Sequence, residues 1–271
     1  MTKPLPTTPA FCVIAPTQYL SHYATQSTRH LVLAHLVAKD GSYAEFYRQR
    51  SAAGDFIIMD NGAFELGGSY PPEKLISLGQ MCGADAIVLP DYPFRPSEVT
   101  VEAAEKWAAV IKDAGFRTMF VPQGETGDID GWTRSYVWAG ANGDIDIIGM
   151  SILGIPNALP HIPVPYARVV MTQVLQSQGL FANKYHHYLG LNSGPALEIP
   201  PLLKMGALDS LDSSGPVWMA ILGHEYTRNA DSYMMVSKVK KEVEFDFPFL
   251  KDMPTHRRIQ TNLDMTLELF K

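Results

Sequence analysis

Eight short apolar runs alternate with longer stretches of helical period along most of the chain, and this alternation limits the fold more than any other feature. We interpret the apolar runs as strands at residues 11–15, 30–37, 55–60, 85–91, 117–123, 144–152, 186–191 and 207–212. We interpret the intervening stretches as helices at residues 42–54, 71–83, 97–115, 128–143, 166–179, 196–206 and from about Gly215 onwards. Eight strands separated by helices predict an α/β fold, a (β/α)8 TIM barrel.

The length of the chain predicts one domain. Its 271 residues fall in the range of a single barrel, and no linker or low-complexity segment divides them. Residues from about 226 to 271 alternate basic and aromatic side chains, and we expect them to form an added C-terminal arm or hairpin. A doubly wound open sheet is the alternative fold, but the sequence lacks the glycine-rich phosphate-binding loops of its nucleotide-binding versions.

Composition and charge limit the classes of function. A content of 46% hydrophobic and 18% charged residues is ordinary for a soluble globular protein. The first residues, MTKPLPTTP, lack the apolar region of a secretory signal, and no apolar run reaches membrane-spanning length, so we expect a cytoplasmic protein. The formal charge of −6 argues against a uniformly basic nucleic-acid coat, although it is compatible with a basic face on one side.

The two cysteines, Cys12 and Cys82, fall in a predicted strand and at a predicted helix end. This placement indicates buried thiols in a reducing compartment. Two cysteines are too few for a structural zinc site built on cysteines, and we expect neither a metal nor a cofactor.

Polar side chains lie at the ends of five predicted strands: Asp60, Asp91, Gln123, Ser151 and Asp212. Each alone has an ordinary structural interpretation, since Asp60 precedes Asn-Gly and suits a turn, Asp91 suits a turn or a cap, and Asp212 suits a helix N-cap. In a (β/α)8 barrel, however, the carboxyl ends of the strands meet at one face, where the chemistry occurs. Three carboxylates and an amide at that face would be costly to desolvate without a ligand, so the set favours a functional site.

The types of residue indicate which chemistry is available. The sequence has no His-x-His, HExxH or Gly-x-Ser-x-Gly pattern, which gives little support to a hydrolytic metal site or a serine nucleophile. Paired carboxylates serve displacement at an anomeric carbon, where one attacks and the other transfers protons.

The motifs MDNGAF, LPDYPF, VPQGE, IGMSILG, HYLGL and LDSLDSS follow one another along the chain. Their order resembles that of the tRNA-guanine transglycosylases, (β/α)8 enzymes that exchange a guanine in nucleic acid for a 7-deazaguanine. The resemblance covers about residues 56–218. It implies that Asp212 is the nucleophile that attacks C1′ of the target nucleoside, and that Asp60 is the acid/base. It also implies a pocket for the base. Asp91 and Gln123 would hydrogen-bond the edge of the base, and Phe64 would stack on its ring. The backbone around Met150 and Ser151 would complete the pocket.

The chain also departs from the family pattern. Asn61 and Ala63 replace a serine and a glycine beside the acid/base, and Gly190 stands where the family has a methionine that closes the other face of the base. By their positions in these motifs, Asn61 and Gly190 are further candidate substrate-binding residues. Family members that act on tRNA carry a zinc site of three cysteines and a histidine, which this chain cannot build. The short chain, the missing zinc site and the different tail look more like the compact viral members that modify DNA, which would place the protein in a host cytoplasm.

The resemblance therefore implies DNA and a free 7-deazaguanine base such as preQ0 as partners, with tRNA as the alternative polymer. The candidate nucleic-acid contacts are basic residues: Arg95, Arg228, Lys238, Lys240, Lys241, Arg257 and Arg258. A base must be flipped out of a duplex, and Tyr92, Phe94 and Tyr226 are candidate wedges, with core packing as the alternative for each. A nucleoside N-glycosidase that uses water and a non-catalytic nucleic-acid-binding subunit remain alternative functions, and the sequence does not decide between a monomer and a homodimer.

Overall fold

The computed structural model describes residues 3–191, 195–227 and 253–271, and it confirms the predicted (β/α)8 barrel. The eight strands are β1 (Ala10–Val13), β2 (Arg29–Val32), β3 (Phe56–Met59), β4 (Ala86–Val88), β5 (Arg117–Phe120), β6 (Ile147–Ser151), β7 (Tyr185–Leu189) and β8 (Ser210–Ser213). All pair in parallel in the order β1-β8-β7-β6-β5-β4-β3-β2. The strands at the two ends of this order, β1 and β2, also lie side by side, so the barrel is nearly closed.

Helices follow the strands and cover the outside of the barrel. The described α-helices are α1 (Leu20–Tyr23), α2 (Ala34–Lys39), α3 (Gly41–Ala52), α4 (Ala63–Leu66), α5 (Pro72–Cys82), α6 (Ser97–Asp113), α7 (Ile129–Ala141), α8 (Gly154–Ala158), α9 (Val164–Ser177), α10 (Pro195–Lys204), α11 (Gly215–Ile221) and α12 (Met253–Glu268). Two 3-10 turns, Thr17–Tyr19 and Ala24–Gln26, flank α1. In this part of the chain no helix combines the length and the apolar character needed to span a bilayer.

Alternate residues of each strand face two separate cores, as the period of two in a β-strand requires. In β3, Phe56 and Ile58 belong to the core inside the barrel, whereas Ile57 and Met59 pack against the helices. The same parity continues beyond the end of β3, so Asp60 is the next inward position. In β8, Leu211 packs outward, and therefore Ser210 and Asp212 face the barrel interior.

The second predicted strand is shorter than the apolar run over residues 30–37. β2 ends at Val32, and the rest of that run forms α2, in which Ala34 and Val37 are buried. Their spacing of three residues places both on one side of a helix. A short apolar run does not distinguish a strand followed by a buried helix from one long strand, because both bury most of their side chains.

The last part of the predicted C-terminal arm is a helix that packs on the barrel. α12 lies against α11 and β1 and buries Ile259 and Leu263. Asn262 Oδ1 accepts the backbone N–H of Tyr226 at 2.6 Å, which ties α12 to the segment after α11. The stretch between them, with Arg228, Lys238, Lys240 and Lys241, lies outside the described residues.

Candidate active site

Asp212 lies at the carboxyl end of β8 and is almost fully buried, at 4% exposure. Its Oδ1 accepts two hydrogen bonds, from His187 Nε2 at 3.0 Å and from the backbone N–H of Gly190 at 3.1 Å. Gly190 has φ of +71°, and a Cβ added there would lie 3.0 Å from Ile152 Cγ2. Glycine therefore suits the backbone that directs this N–H at Asp212.

The side chain of His187 faces the barrel interior one strand away, on β7. Its other ring nitrogen, Nδ1, lies 2.7 Å from Ser210 Oγ, and both residues are completely buried. Cys12, the β1 residue in register with Asp212, is also fully buried. Burial and the nearby Asp212 raise the pKa of its thiol well above the usual value, so Cys12 is an uncharged neighbour of the site.

Asp60 continues the inward series of β3 and has the most strongly raised carboxyl pKa near the site. Burial raises its pKa from 3.8 to about 8, and the charges of Glu65 and Asp91 add to this effect. The backbone N–H of Gly62 donates to Asp60 Oδ2 at 3.0 Å, and this hydrogen bond lowers the pKa of Asp60. A carboxylic acid in this state holds a proton at neutral pH and is able to donate it.

Glu65, on α4, is a site residue that the strand-end pattern did not predict. Burial and the charge of Asp212 raise its pKa, and its own charge raises the pKa of Asp60, so it interacts with both carboxyl groups. Its Oε2 lies 3.9 Å from His35 Nδ1. The only sequence signal is its position five residues after Asp60 in the same loop region.

Asp91, after β4, is held by two amides. Asn61 Nδ2 donates to Asp91 Oδ1 at 2.7 Å and to the carbonyl of Leu89 at 2.8 Å, and Gln123 Nε2 donates to Asp91 Oδ2 at 2.6 Å. Burial raises the pKa of Asp91, and the two amide donors oppose that shift. The structure thus brings three predicted pocket residues into one buried network.

Gln123 also carries a buried acceptor, Oε1, for which the described residues supply no hydrogen-bond partner. A Cβ added at Gly154 would lie 2.9 Å from this oxygen, so the amide fits closely against the start of α8. Ser151 Oγ accepts the backbone N–H groups of Leu153 at 3.1 Å and Gly154 at 3.0 Å. The Ser151 side chain therefore holds the turn that follows β6.

A buried arginine joins the ends of β6 and β7. Arg168, on α9, donates to the carbonyls of Met150 at 3.0 Å, Leu189 at 2.9 Å and Gly190 at 2.7 Å. Glu198 on α10 binds the same guanidinium through two hydrogen bonds of 2.5 and 2.7 Å. This pair fixes the backbone around Met150 and Gly190, which the sequence assigned to the pocket wall. A single arginine within an apolar helical stretch gave no indication of this role.

The candidate aromatic contacts differ in exposure. Phe64 on α4 is 72% exposed, and Tyr92 and Phe94 in the loop after β4 are also exposed. Phe94 adopts a left-handed backbone with φ of 65°, a strained state for a side chain of this size. The suggestion that Tyr226 is a wedge is wrong, because Tyr226 is buried against α11 and α12.

Among the described residues, the basic side chains predicted to contact nucleic acid differ in exposure and in their contacts. Arg95 and Arg257 are exposed. Arg258 donates to the carbonyl of Ala220 at 3.1 Å and to Thr255 Oγ1 at 2.7 Å, so its guanidinium links α12 to α11. Within the ranges that the structure describes, no group of three or more His, Cys, Asp or Glu residues is arranged to hold a metal ion.

Comparison with known proteins does not assign the chain. No protein-family model matches it, and no curated protein sequence matches it. Function is therefore inferred from the geometry of the site and from the order of the motifs.

Proposed function

We propose that the protein is a transglycosylase that exchanges a guanine in DNA for a 7-deazaguanine base through a covalent aspartyl intermediate. The observation that carries the proposal is the contrast between two inward-facing carboxyl groups at one end of the barrel. Asp212 accepts two N–H donors on one oxygen, whereas burial raises the pKa of Asp60 to about 8. Carboxyl groups in different environments are the usual basis for dividing the roles of nucleophile and acid.

In the first step, a carboxylate oxygen of Asp212 attacks C1′ and the bond between C1′ and the guanine breaks. Protonated Asp60 gives its proton to the departing base. In the second step, the 7-deazaguanine gives a proton to Asp60 and attacks C1′, and the ester bond to Asp212 breaks. Two inversions return the sugar with its original configuration, and no electrons are gained or lost.

The network around Asp91 supports base recognition in this scheme. Asn61 and Gln123 fix the orientation of the Asp91 carboxyl, and the carboxyl and amide groups suit the polar edge of a purine. Arg168 holds the backbone near Met150 and Gly190 in place before any base arrives. A pocket that is ordered in advance loses less entropy when it binds.

Two features support a nucleic-acid polymer as the substrate, and one of them favours DNA. The loops after β3 and β4 present the exposed rings of Phe64, Tyr92 and Phe94, and exposed aromatic rings suit stacking on unpaired bases. The sequence also lacks the cysteines of the zinc site that its tRNA-modifying counterparts carry. Exposed rings suit DNA and RNA bases alike, so the missing zinc site is the feature that favours DNA over tRNA.

The test is incorporation of a labelled 7-deazaguanine, with DNA and tRNA in separate reactions. We expect label in DNA alone and, without an incoming base, a covalent adduct between the protein and DNA. Asp212→Asn should abolish both, and Asp113→Asn, which removes an exposed carboxylate at the end of α6, should abolish neither. Label in tRNA alone would indicate the tRNA enzyme, release of free base from a nucleoside would indicate a glycosidase, and normal exchange by Asp212→Asn would refute the mechanism.

A further inference from the structure

We propose that His187 is a positioning residue that fixes the Asp212 carboxylate through Oδ1 and so selects Oδ2 as the attacking oxygen. The inference rests on the proposed role of Asp212 as nucleophile. It adds a residue and an atomic assignment that neither the strand-end pattern nor the motif order supplied.

The contacts form a chain from the barrel core to the site. His187 and Ser210 are paired in the register between β7 and β8, and His187 Nδ1 lies 2.7 Å from Ser210 Oγ. On the opposite side of the ring, His187 Nε2 lies 3.0 Å from Asp212 Oδ1. His187 and Ser210 have 0% exposure, and Asp212 has 4%. A ring held at both nitrogens in a packed interior has little freedom to turn.

The chemistry of the partners assigns the proton on Nε2. A carboxylate oxygen only accepts, so Nε2 must carry hydrogen to bond Asp212. The hydroxyl of Ser210 is able to donate to Nδ1 or to accept from it, so this contact holds the ring in place while Nε2 donates to Asp212.

The second donor on the same oxygen completes the arrangement. Gly190 N–H also bonds Oδ1, and among the described residues none donates a hydrogen bond to Oδ2. Two donors on Oδ1 fix the carboxylate in space and leave the lone pairs of Oδ2 for bond formation. Orientation of this kind affects the rate of attack more than the affinity for the substrate.

Two substitutions separate positioning from packing. The side-chain nitrogen of glutamine lies as many bonds from Cα as Nε2 of histidine does. The side-chain nitrogen of asparagine lies as many bonds from Cα as Nδ1 of histidine does. His187→Gln therefore keeps a donor for Asp212, whereas His187→Asn keeps only the contact with Ser210. We expect His187→Gln to form the adduct with DNA within about 10-fold of the wild-type rate, and His187→Asn to lose about 100-fold or more in kcat with little change in KM.

The neighbouring His186 supplies a matched control. It is equally buried but faces outward, where its Nε2 lies 2.8 Å from Tyr136 Oη. His186→Gln should lower stability and leave the rate of adduct formation close to wild type. If both variants of His187 lose the same activity, or if His186→Gln loses as much as His187→Asn, His187 has a packing role only and the proposal is wrong.

A measurement on the free protein separates this inference from the proposed function. Nitrogen-15 NMR should show hydrogen on Nε2 of His187, with the signal assigned by its loss in His187→Gln, and Asp212→Asn should shift the Nε2 resonance. Hydrogen on Nδ1 alone would overturn the inference even if exchange occurs. If the NMR result is as expected but wild type forms no adduct with either polymer, the transglycosylase proposal fails while the contact stands.

Discussion

Replacing Asp60 by asparagine is expected to stabilise the fold at neutral pH, by an amount that grows as the pH rises. Burial, with Glu65 and Asp91, raises the pKa of Asp60 from 3.8 to about 8 in the folded protein. Between these two values the folded chain binds a proton that the unfolded chain has released. The contribution of Asp60 to stability is therefore fully present below pH 4 and is lost as the pH rises towards 8. An asparagine side chain does not titrate in this range, so its contribution to stability does not change with pH.

The size of the effect follows from proton linkage. One proton bound only in the folded state changes the free energy of unfolding by about 1.4 kcal/mol per pH unit. The interval from about pH 5.5 to about pH 7.5 lies between the two pKa values, so the stability advantage of Asp60→Asn should increase across it by about 2–3 kcal/mol. The amide oxygen of asparagine still accepts the Gly62 N–H that bonds Asp60 Oδ2, so that contact does not offset the gain.

The assay is urea denaturation of wild type and Asp60→Asn at a series of pH values, in one buffer of constant ionic strength. Asp113→Asn controls for the loss of one formal charge and should follow the wild-type curve. A difference between Asp60→Asn and wild type that stays constant over the interval, or shrinks with rising pH, would refute the assigned environment of Asp60. The same variant should lose base release, because it has no proton to give the departing guanine.

Three further single substitutions and one double variant test the neighbouring contacts. Glu65→Gln removes a charge that raises the pKa of Asp60, so the rate of base release should begin to fall at a lower pH than in wild type, and an unchanged pH profile would contradict this coupling. Arg168→Met leaves Glu198 buried without its partner and should cost about 3–5 kcal/mol in urea denaturation; adding Glu198→Leu should recover part of that loss, and no recovery would show that the arginine acts through its backbone contacts instead. Gly190→Ala forces a side chain into φ of +71° and against Ile152, so it should cost about 1–2 kcal/mol and slow adduct formation, whereas unchanged stability would contradict the strain.

Most of the fold was predictable because the sequence pattern within each strand and helix is enough to identify that element. Apolar runs alternate with amphipathic stretches, and the parallel order follows once each strand is linked to the next by a helix. The error at residues 30–37 has a physical cause, since α2 is short and buries Ala34 and Val37, so its composition matches that of a strand. The same ambiguity applies wherever a helix of one or two turns directly follows a buried strand.

The candidate site was predictable only where it coincides with strand ends. Asp60, Asp91, Gln123 and Asp212 end apolar runs, and topology alone brings such positions to one face of a barrel. His187 lies inside a strand, and its role depends on the register that places Ser210 opposite it. No local pattern encodes that register, which is set by packing across the whole sheet.

No sequence pattern indicates the role of Arg168 and Glu198, because their contacts join two helices to the ends of two strands. Both look like ordinary helical residues in the sequence, and only tertiary packing turns them towards the carbonyls of Met150, Leu189 and Gly190. Residues that support a site through the backbone are therefore the hardest to predict from sequence, since they carry no chemistry of their own in the reaction.

The barrel interior changes in character along the strand axis. Towards the amino ends of the strands it is filled mostly by apolar and aromatic side chains, with the rings of Phe56 and Tyr185 6.4 Å apart. Towards the carboxyl ends the same inward series continues as His187, Asp212 and Asp60. Burial of these polar groups costs free energy that an apolar core would not incur, and the raised pKa of Asp60 reflects that cost. His187 and Asp212 are hydrogen-bonded to each other, whereas Asp60 accepts the Gly62 N–H and still has a raised pKa, so part of the cost of burying these groups is not offset within the fold. Unfavourable polar groups that the rest of the barrel holds in place are typical of a functional site.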